Sequence, residues 1–467
     1  MKADFKRIEA ADVKFFREVV GIQYVINSES ELEDYGRDET EDLCFPPEVI
    51  IKPRSADEIS DILRYCNDHL IPITPIGART GLSGGSLSYF GGVGLGLERM
   101  NSIIEIDTDN LQATVEPGVI TQIFQEAVME QGLFYPPDPA SRGSCFIGGN
   151  LAESSGGPKA VKYGVTRDYV LNLEIVLTDG SIMWTGANVL KNATGYDLTH
   201  LMVGSEGTLA VISKAVFKLL PLPKHDVLML IPFSSAKNAC EAVAATFKRG
   251  LIPSAMEFME RDALDLVNEF LGLDMNIPES VEAHLLVELD GNDLNRLMDE
   301  AEIIAVVMEE HDSGDILFAE TNSEKDKLWL MRRRVGEAVK ASSIYKEEDT
   351  VVPRFRLPDL LSEVKRIGGK YGFKSVCYGH AGDGNLHVNI MKGEMTDDQW
   401  NHELEAGIRE LFTSVVELGG TISGEHGIGL VQKKYMDIVF DRRQLELLRD
   451  IKSTFDPKGI LNPGKVH

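Results

Sequence analysis

Pro75-Ile-Gly-Ala-Arg-Thr-Gly-Leu-Ser-Gly-Gly85 and Ile147-Gly-Gly-Asn-Leu-Ala-Glu-Ser-Ser-Gly-Gly157 are the stretches that decide the fold of this chain. Runs of small residues let consecutive backbone N–H groups approach phosphate oxygens as a neutral donor nest. Two better-known phosphate binders are excluded. The 77–85 loop has no Gly-Lys-Ser/Thr, so it is not a Walker-type loop. Gly92-Val-Gly-Leu-Gly96 suggests a dinucleotide fingerprint, but it lies in an apolar strand-like run, opens no helix and lacks the full spacing.

Outward from these loops the texture is mixed. Residues 1–45 read as a helical, acidic segment; between Glu29 and Glu48 there are nine carboxylates and a single base, Arg37. From Pro46 onward, strands are expected at 49–51, 71–76, 92–97, 103–107, 113–116, 171–177 and 208–219, with a helix from Ser55 to about residue 69. Pro221-Leu-Pro223 closes that region. Residues 224–418 alternate strands (227–233, 283–289, 376–379) with helices (236–249, 292–310, 357–371, 397–418), as a sheet with helices packed on it does. A C-terminal segment, 419–467, follows.

Composition narrows the function. Of 467 residues, 47 are Lys or Arg and 74 are Asp or Glu, a formal charge of −27. Such a surface repels phosphate backbones and anionic bilayers, so neither nucleic acid nor a membrane surface is a general partner. A site for a small anion must therefore bring its own positive charge. The five cysteines, Cys44, Cys66, Cys145, Cys240 and Cys377, form no CxxC pair. Disulfides, a cysteine zinc site and a self-contained iron–sulfur cluster are poorly supported, and a reducing cytoplasm fits best. No apolar stretch approaches the length of a membrane span.

Joined by Gly204-Ser-Glu-Gly-Thr-Leu209, the two loops resemble the FAD-binding domain of the vanillyl-alcohol-oxidase/PCMH flavoprotein superfamily, over residues 46–223. The resemblance implies that the first loop holds the FAD pyrophosphate through Pro75, Gly77, Arg79, Thr80, Gly81, Leu82, Ser83, Gly84 and Gly85. It implies that the second runs beside the flavin and brings Pro137, Asp138, Ser141, Gly148, Gly149, Asn150, Ser154, Gly157, Tyr163 and Val165. Glu206, Gly207 and Ile212 make the third contact. The first loop has no His or Cys to tether a flavin, and Cys145 stands where relatives usually carry Ser or Thr, so non-covalent FAD is expected.

Chemistry concentrates in Tyr378-Gly-His-Ala-Gly-Asp-Gly-Asn-Leu-His387 and Ser423-Gly-Glu-His-Gly-Ile-Gly429. His380 and His387 are an odd number of residues apart and would face opposite ways on a straight strand. The Gly-Asp-Gly-Asn turn between them can fold the chain so that both imidazoles converge. With Glu425 they make an open divalent-metal site for Zn, Fe or Mn. His426 is the candidate base for a metal-polarised hydroxyl. Arg332, in an Arg triplet, and Arg354, in Val352-Pro-Arg354, are the candidate clamps for a substrate carboxylate.

Glu348-Asp-Thr-Val-Val-Pro-Arg354, the two histidine motifs and Phe455-Asp-Pro-Lys-Gly-Ile-Leu-Asn-Pro-Gly464 are similar to the group containing the glycolate oxidase flavin subunit, D-lactate dehydrogenase and D-2-hydroxyglutarate dehydrogenase. That similarity covers almost the whole chain. It implies an α+β protein in which a two-subdomain FAD-binding domain is followed by an α/β cap domain with an antiparallel sheet for the substrate. The C-terminal segment then returns to the flavin. It implies metal ligands at His380, His387 and Glu425, the base at His426, the substrate arginine at Arg332 and a flavin-side residue at Asn462. Gly336 stands where glutarate-specific members carry a hydroxyl residue, although Lys346 can still serve a second carboxylate. The expected activity is oxidation of a small D-2-hydroxy acid, D-lactate first. Electrons would leave to an electron-transfer flavoprotein or an iron–sulfur subunit. The rival readings are an O2-using alcohol or sugar oxidase and a non-catalytic electron-transfer subunit.

Overall fold

Val49-Ile-Ile51 is β-branched throughout and forms a fully buried strand, as such a run does when both faces are covered. It pairs in parallel with Val93–Gly96, which pairs in parallel with Ile73–Ile76. The crossover helix, Ala56–His69, starts on Ser55, whose hydroxyl accepts the Glu58 N–H. The first glycine loop therefore leaves the carboxyl end of a parallel strand, where open α/β sheets bind their ligands. A five-stranded antiparallel sheet follows, in the order Ile103–Asp107, Gln112–Val115, Val211–Lys218, Val170–Val176, Ile182–Trp184. The second glycine loop is the helix Ile147–Glu153 and its exit.

The computed structural model describes residues 4–272 and 277–466. They fall into two units. The first comprises Met1–Ser155, Val165–Leu222 and Glu425–His467; the second comprises Gly156–Gly164 and Pro223–Gly424. The acidic N-terminal segment is thus built into the first unit. Phe16 and Val20 of the helix Ala10–Val20 sit in its core, and buried Asp12 takes Lys6 Nζ at 2.7 Å and Tyr65 Oη at 2.7 Å. The chain end joins the same core through Ile460 and Leu461, the latter bridged to Ile73.

The second unit is one antiparallel sheet of seven strands, ordered Leu317–Phe318, His225–Phe233, Ala283–Gly291, Ala255–Glu260, Lys374–Gly379, Asn385–Met391, Tyr345–Val351. Four of them are not anticipated: the two-residue Leu317–Phe318, and 255–260, 345–351 and 385–391, whose apolar pattern is interrupted by carboxylates, histidine and asparagine. Alternation sorts the faces. Met259, Leu286, Val376 and Tyr378 pack against the helices Arg261–Leu271, Asn322–Arg333 and Val335–Ser342. Glu260 points the other way, to Lys365 of the helix Leu357–Tyr371. Among the described residues no helix is long and apolar enough to cross a membrane.

His284 in this sheet is buried with Nδ1 unpartnered, and burial, with Arg261 adding, drops its pKa from 6.5 to about 4. The unfolded chain therefore takes up the proton first. Stability is complete above pH 6.5 and falls as pH drops toward 4, by about 3 kcal/mol from this group. Urea unfolding of His284→Leu across that range is expected to show a flatter acid limb than the parent.

Candidate active site

In the first unit the glycine loops enclose an open cleft with about 1250 Å³ of empty space, its mouth included. Pro75, Gly77, Arg79, Thr80, Gly81, Leu82, Gly85, Ser141, Gly148, Gly149, Asn150, Glu206 and Gly207 line it. The cleft suits a nucleotide cofactor. Nothing stands within 4 Å of where a Cβ would sit on Gly81 or Gly149, so both glycines leave their backbone open to a ligand. Four non-glycine residues with positive φ gather here: Arg79, Ser154, Glu206 and Asn462. Such strain collects at ligand sites. Asn462 is held by donating to Gly85 O at 3.0 Å and Glu206 O at 2.8 Å.

Glu425 and His426 line this same cleft. Their loop is fixed on the far side by Glu206, whose two oxygens accept the Ile428 and Gly429 N–H groups at 2.7 Å each. Glu206 therefore holds the loop in place as well as lining the cleft. Burial raises its pKa; the two N–H groups and Lys465 pull it back. The near end of the loop is fixed in the second unit, where Asp349 Oδ2 takes Gly424 N at 2.7 Å and Ser423 Oγ at 3.1 Å.

Several residues assigned to the flavin lie outside the cleft wall. Pro137 O accepts Gln125 Nε2 and Asp138 pairs with Arg142, leaving Pro139 and Ala140 to line it. Ser83 O accepts the Leu430 N–H and Gly84 packs on Leu430, so both back the C-terminal loop. Ser154 caps its helix in a left-handed conformation, Val165 opens a turn closed by Asp168, and Ile212 is inside a strand against Ile175. Gly157 and Tyr163 belong to the second unit, where Tyr163 Oη donates to Asp290 at 2.8 Å. Arg79 does line the cleft, with its guanidinium 4.5 Å over the Tyr35 ring. Cys145 is buried against Thr121, its thiol pKa raised by burial, and is not part of the cleft wall.

The second unit gathers its own polar cluster on one sheet face. His380 and His387 converge across the hairpin turn, ring centroids 5.4 Å apart. Gly384 makes that turn possible: its φ is +87°, and a Cβ there would run into Val352 O. Glu257, fully buried, accepts from His380 Nδ1 at 2.8 and 2.9 Å. That contact orients the His380 ring and turns its Nε2 away from Glu257. Arg332 is 6 % exposed, whereas Arg333 and Arg334 are half-buried. Its Nη2 lies 2.7 Å from Glu257 Oε2 off the N–H direction, so Nη2 and Nε are buried without a hydrogen bond. Tyr378 underlies it, the guanidinium 5.0 Å from the ring centroid. Asn389 shares the face with His387, opposite Glu347.

Arg354 does not join this cluster. Its guanidinium stacks 3.8 Å over Phe247 of the helix Ala236–Lys248. Lys346 alternates away from Glu347 and lies 4.9 Å over the Trp400 ring. Glu257 escapes sequence reading, although a signal exists: carboxylates at 257 and 260 inside a short, otherwise apolar run.

Two family models cover the chain: an FAD binding domain over residues 47–186 and the C-terminal domain of FAD linked oxidases over residues 222–466. The chain belongs to the FAD-linked oxidase family. It is similar to the glycolate oxidase subunit GlcD of Bacillus subtilis, 39% identical over 92% of this chain and 91% of that one. It is also similar to D-lactate dehydrogenase of Anaerostipes hadrus (35%, covering 99% and 98%) and D-2-hydroxyglutarate dehydrogenase of Stutzerimonas stutzeri (31%, covering 95% and 96%). Among solved structures, p-cresol methylhydroxylase with bound substrate has the same fold, with a TM-score of 0.80 at 18% identity over 99% of this chain and 98% of that one. This member of the family is thus an FAD-linked enzyme of the PCMH type.

Replacing Glu206 by Ala leaves the half-buried Ile428 N–H and the buried Gly429 N–H without their acceptors. The expected cost is about 2–4 kcal/mol, with faster hydrogen exchange at the Ile428 and Gly429 amides. Unchanged exchange at those two amides would dissociate Glu206 from the loop.

Proposed function

We propose that this enzyme is an FAD-dependent D-2-hydroxy-acid dehydrogenase, with D-lactate as its first substrate and glycolate or D-2-hydroxyglutarate as alternatives. The observation that carries this reading is the lining of one cleft by both glycine loops together with Glu425 and His426. Bound non-covalently there, FAD supplies the acceptor for a hydride from the substrate Cα. His380, His387 and Glu425 would hold a Zn, Fe or Mn ion, whose chemistry is to lower the pKa of the substrate hydroxyl.

The chain's own residues do the rest. The unsatisfied Nε and Nη2 donors of Arg332 suit a carboxylate, and they bring the positive charge that an anion needs in so acidic a protein. His426 takes the hydroxyl proton. Glu257 orients both His380 and Arg332, coupling the ligand to the clamp. A small acid is favoured over a dicarboxylate because a Cβ on Gly336 would already stand 3.0 Å from Tyr378 Oη and Lys346 faces away. Arg354 is left out of the chemistry. The reading sends electrons to an electron-transfer flavoprotein or iron–sulfur subunit in the cytoplasm, with the acidic run 29–48 as the docking candidate; all five cysteines are free.

The test is an anaerobic flavin spectrum after adding D-lactate, L-lactate, glycolate or D-2-hydroxyglutarate, with and without chelator. Bleaching by one D-acid, abolished by chelator, is the expected result; an oxidised flavin with all four in metal-replete protein would overturn the reading. Arg332→Lys keeps the charge but loses the fork and is expected to lower kcat/KM about a hundredfold. Glu257→Gln is expected to weaken metal binding about 10- to 100-fold in a direct titration.

A further inference from the structure

Glu153 is the last residue of the helix Ile147–Glu153, and its side chain reaches the wall of the flavin cleft. Its Oε2 is buried and has no hydrogen-bond partner. An ionised carboxylate so placed is costly, and the carbonyl end of a helix adds to the cost. The charged groups that face it are Glu206, Asp38 and Lys465. None donates to it. Glu206 is committed to the Ile428 and Gly429 N–H groups. The Lys465 ammonium is taken up by Gly85 O at 3.0 Å, Leu87 O at 2.7 Å and Asn462 Oδ1 at 2.8 Å. Asp38 takes Thr40 N at 3.0 Å and Ser86 Oγ at 3.2 Å.

Room for the group is built in. A Cβ on Gly85 would stand 3.0 Å from Glu153 Oε1, and one on Gly427 would run into Oε2. The carboxyl is therefore held between the phosphate loop and the loop that carries His426.

We propose that Glu153 is held as a neutral carboxylic acid and donates a hydrogen bond to the FAD bound in the cleft. Of two carboxylates that share a site, the one with N–H donors keeps its charge and the other keeps the proton. Glu206 has the donors and Glu153 does not. Burial first, and Glu206 second, hold the Glu153 pKa well above the usual carboxylate value. FAD brings a negatively charged diphosphate, which an ionised Glu153 would repel and a protonated one can meet with its O–H. The inference rests on the FAD reading of the cleft.

The test uses full-length protein stripped of flavin, with FAD binding read by flavin fluorescence at about pH 6 and about pH 9. Wild type is expected to weaken about tenfold or more at the higher pH, as the acid ionises. Glu153→Gln, which keeps a donor without a charge, is expected to match wild type at the lower pH and to lose most of that pH dependence. Whatever dependence it retains reports the other titratable groups at the cleft, namely Lys465, whose pKa burial lowers to about 8, and the His426 imidazole. Glu153→Ala is expected to bind about tenfold more weakly at both. Should that variant misfold, an infrared carboxylic-acid carbonyl band, present in the flavin-free wild type and absent from Glu153→Gln, carries the test. A missing band, or a Glu153→Gln protein as pH-sensitive as wild type, would overturn the proposal. Failure of wild type to bind FAD at either pH, with the band present, would instead strike at the FAD reading and remove the donor's target with it.

Discussion

Residues 423–429 are held at both ends by buried carboxylates. Asp349 grips Ser423 and Gly424 in the second unit; Glu206 grips Ile428 and Gly429 in the first. Each grip uses charge-assisted hydrogen bonds, which are the stronger kind and the most sensitive to geometry. Glycine at 424, 427 and 429 is what allows the approach: a Cβ at Gly424 would strike Val351, at Gly427 Glu153, and at Gly429 Ser83 O. Within the first unit, Glu425 and His426 precede a stretch fixed by the Glu206 carboxylate.

The second unit solves a different problem. A sheet face that is apolar under Leu228, Leu230 and Leu286 becomes polar toward Glu257, His387 and Glu347. Buried charge is expensive unless it is paired, and Glu257 is paired twice over, with His380 and Arg332. The donors Arg332 leaves unsatisfied are an imbalance that a bound carboxylate would relieve.

Much of this is legible in the sequence because glycine spacing and histidine flanks carry backbone information. The two loops and the 423–429 motif name their own cleft, and the odd spacing of His380 and His387 is resolved by the turn that Gly384 permits. What sequence hides is polar burial. The strands 255–260, 345–351 and 385–391 look irregular because their carboxylates, histidine and asparagine are buried polar groups, so period-two reasoning passes over them. Glu257 and Glu153 are invisible for the same reason: nothing local distinguishes a buried carboxylate from a solvated one. Arg354 misleads in the opposite sense, since an arginine after proline beside the site motif packs instead on Phe247.

The account stands or falls on His426 acting in the flavin cleft. Single-turnover flavin reduction by the preferred D-acid, followed anaerobically in wild type and in His426→Ala with equal flavin content, tests this directly. Bleaching slowed at least about a hundredfold in the variant, at unchanged FAD occupancy, is the predicted result. Equal rates in the two proteins would contradict it.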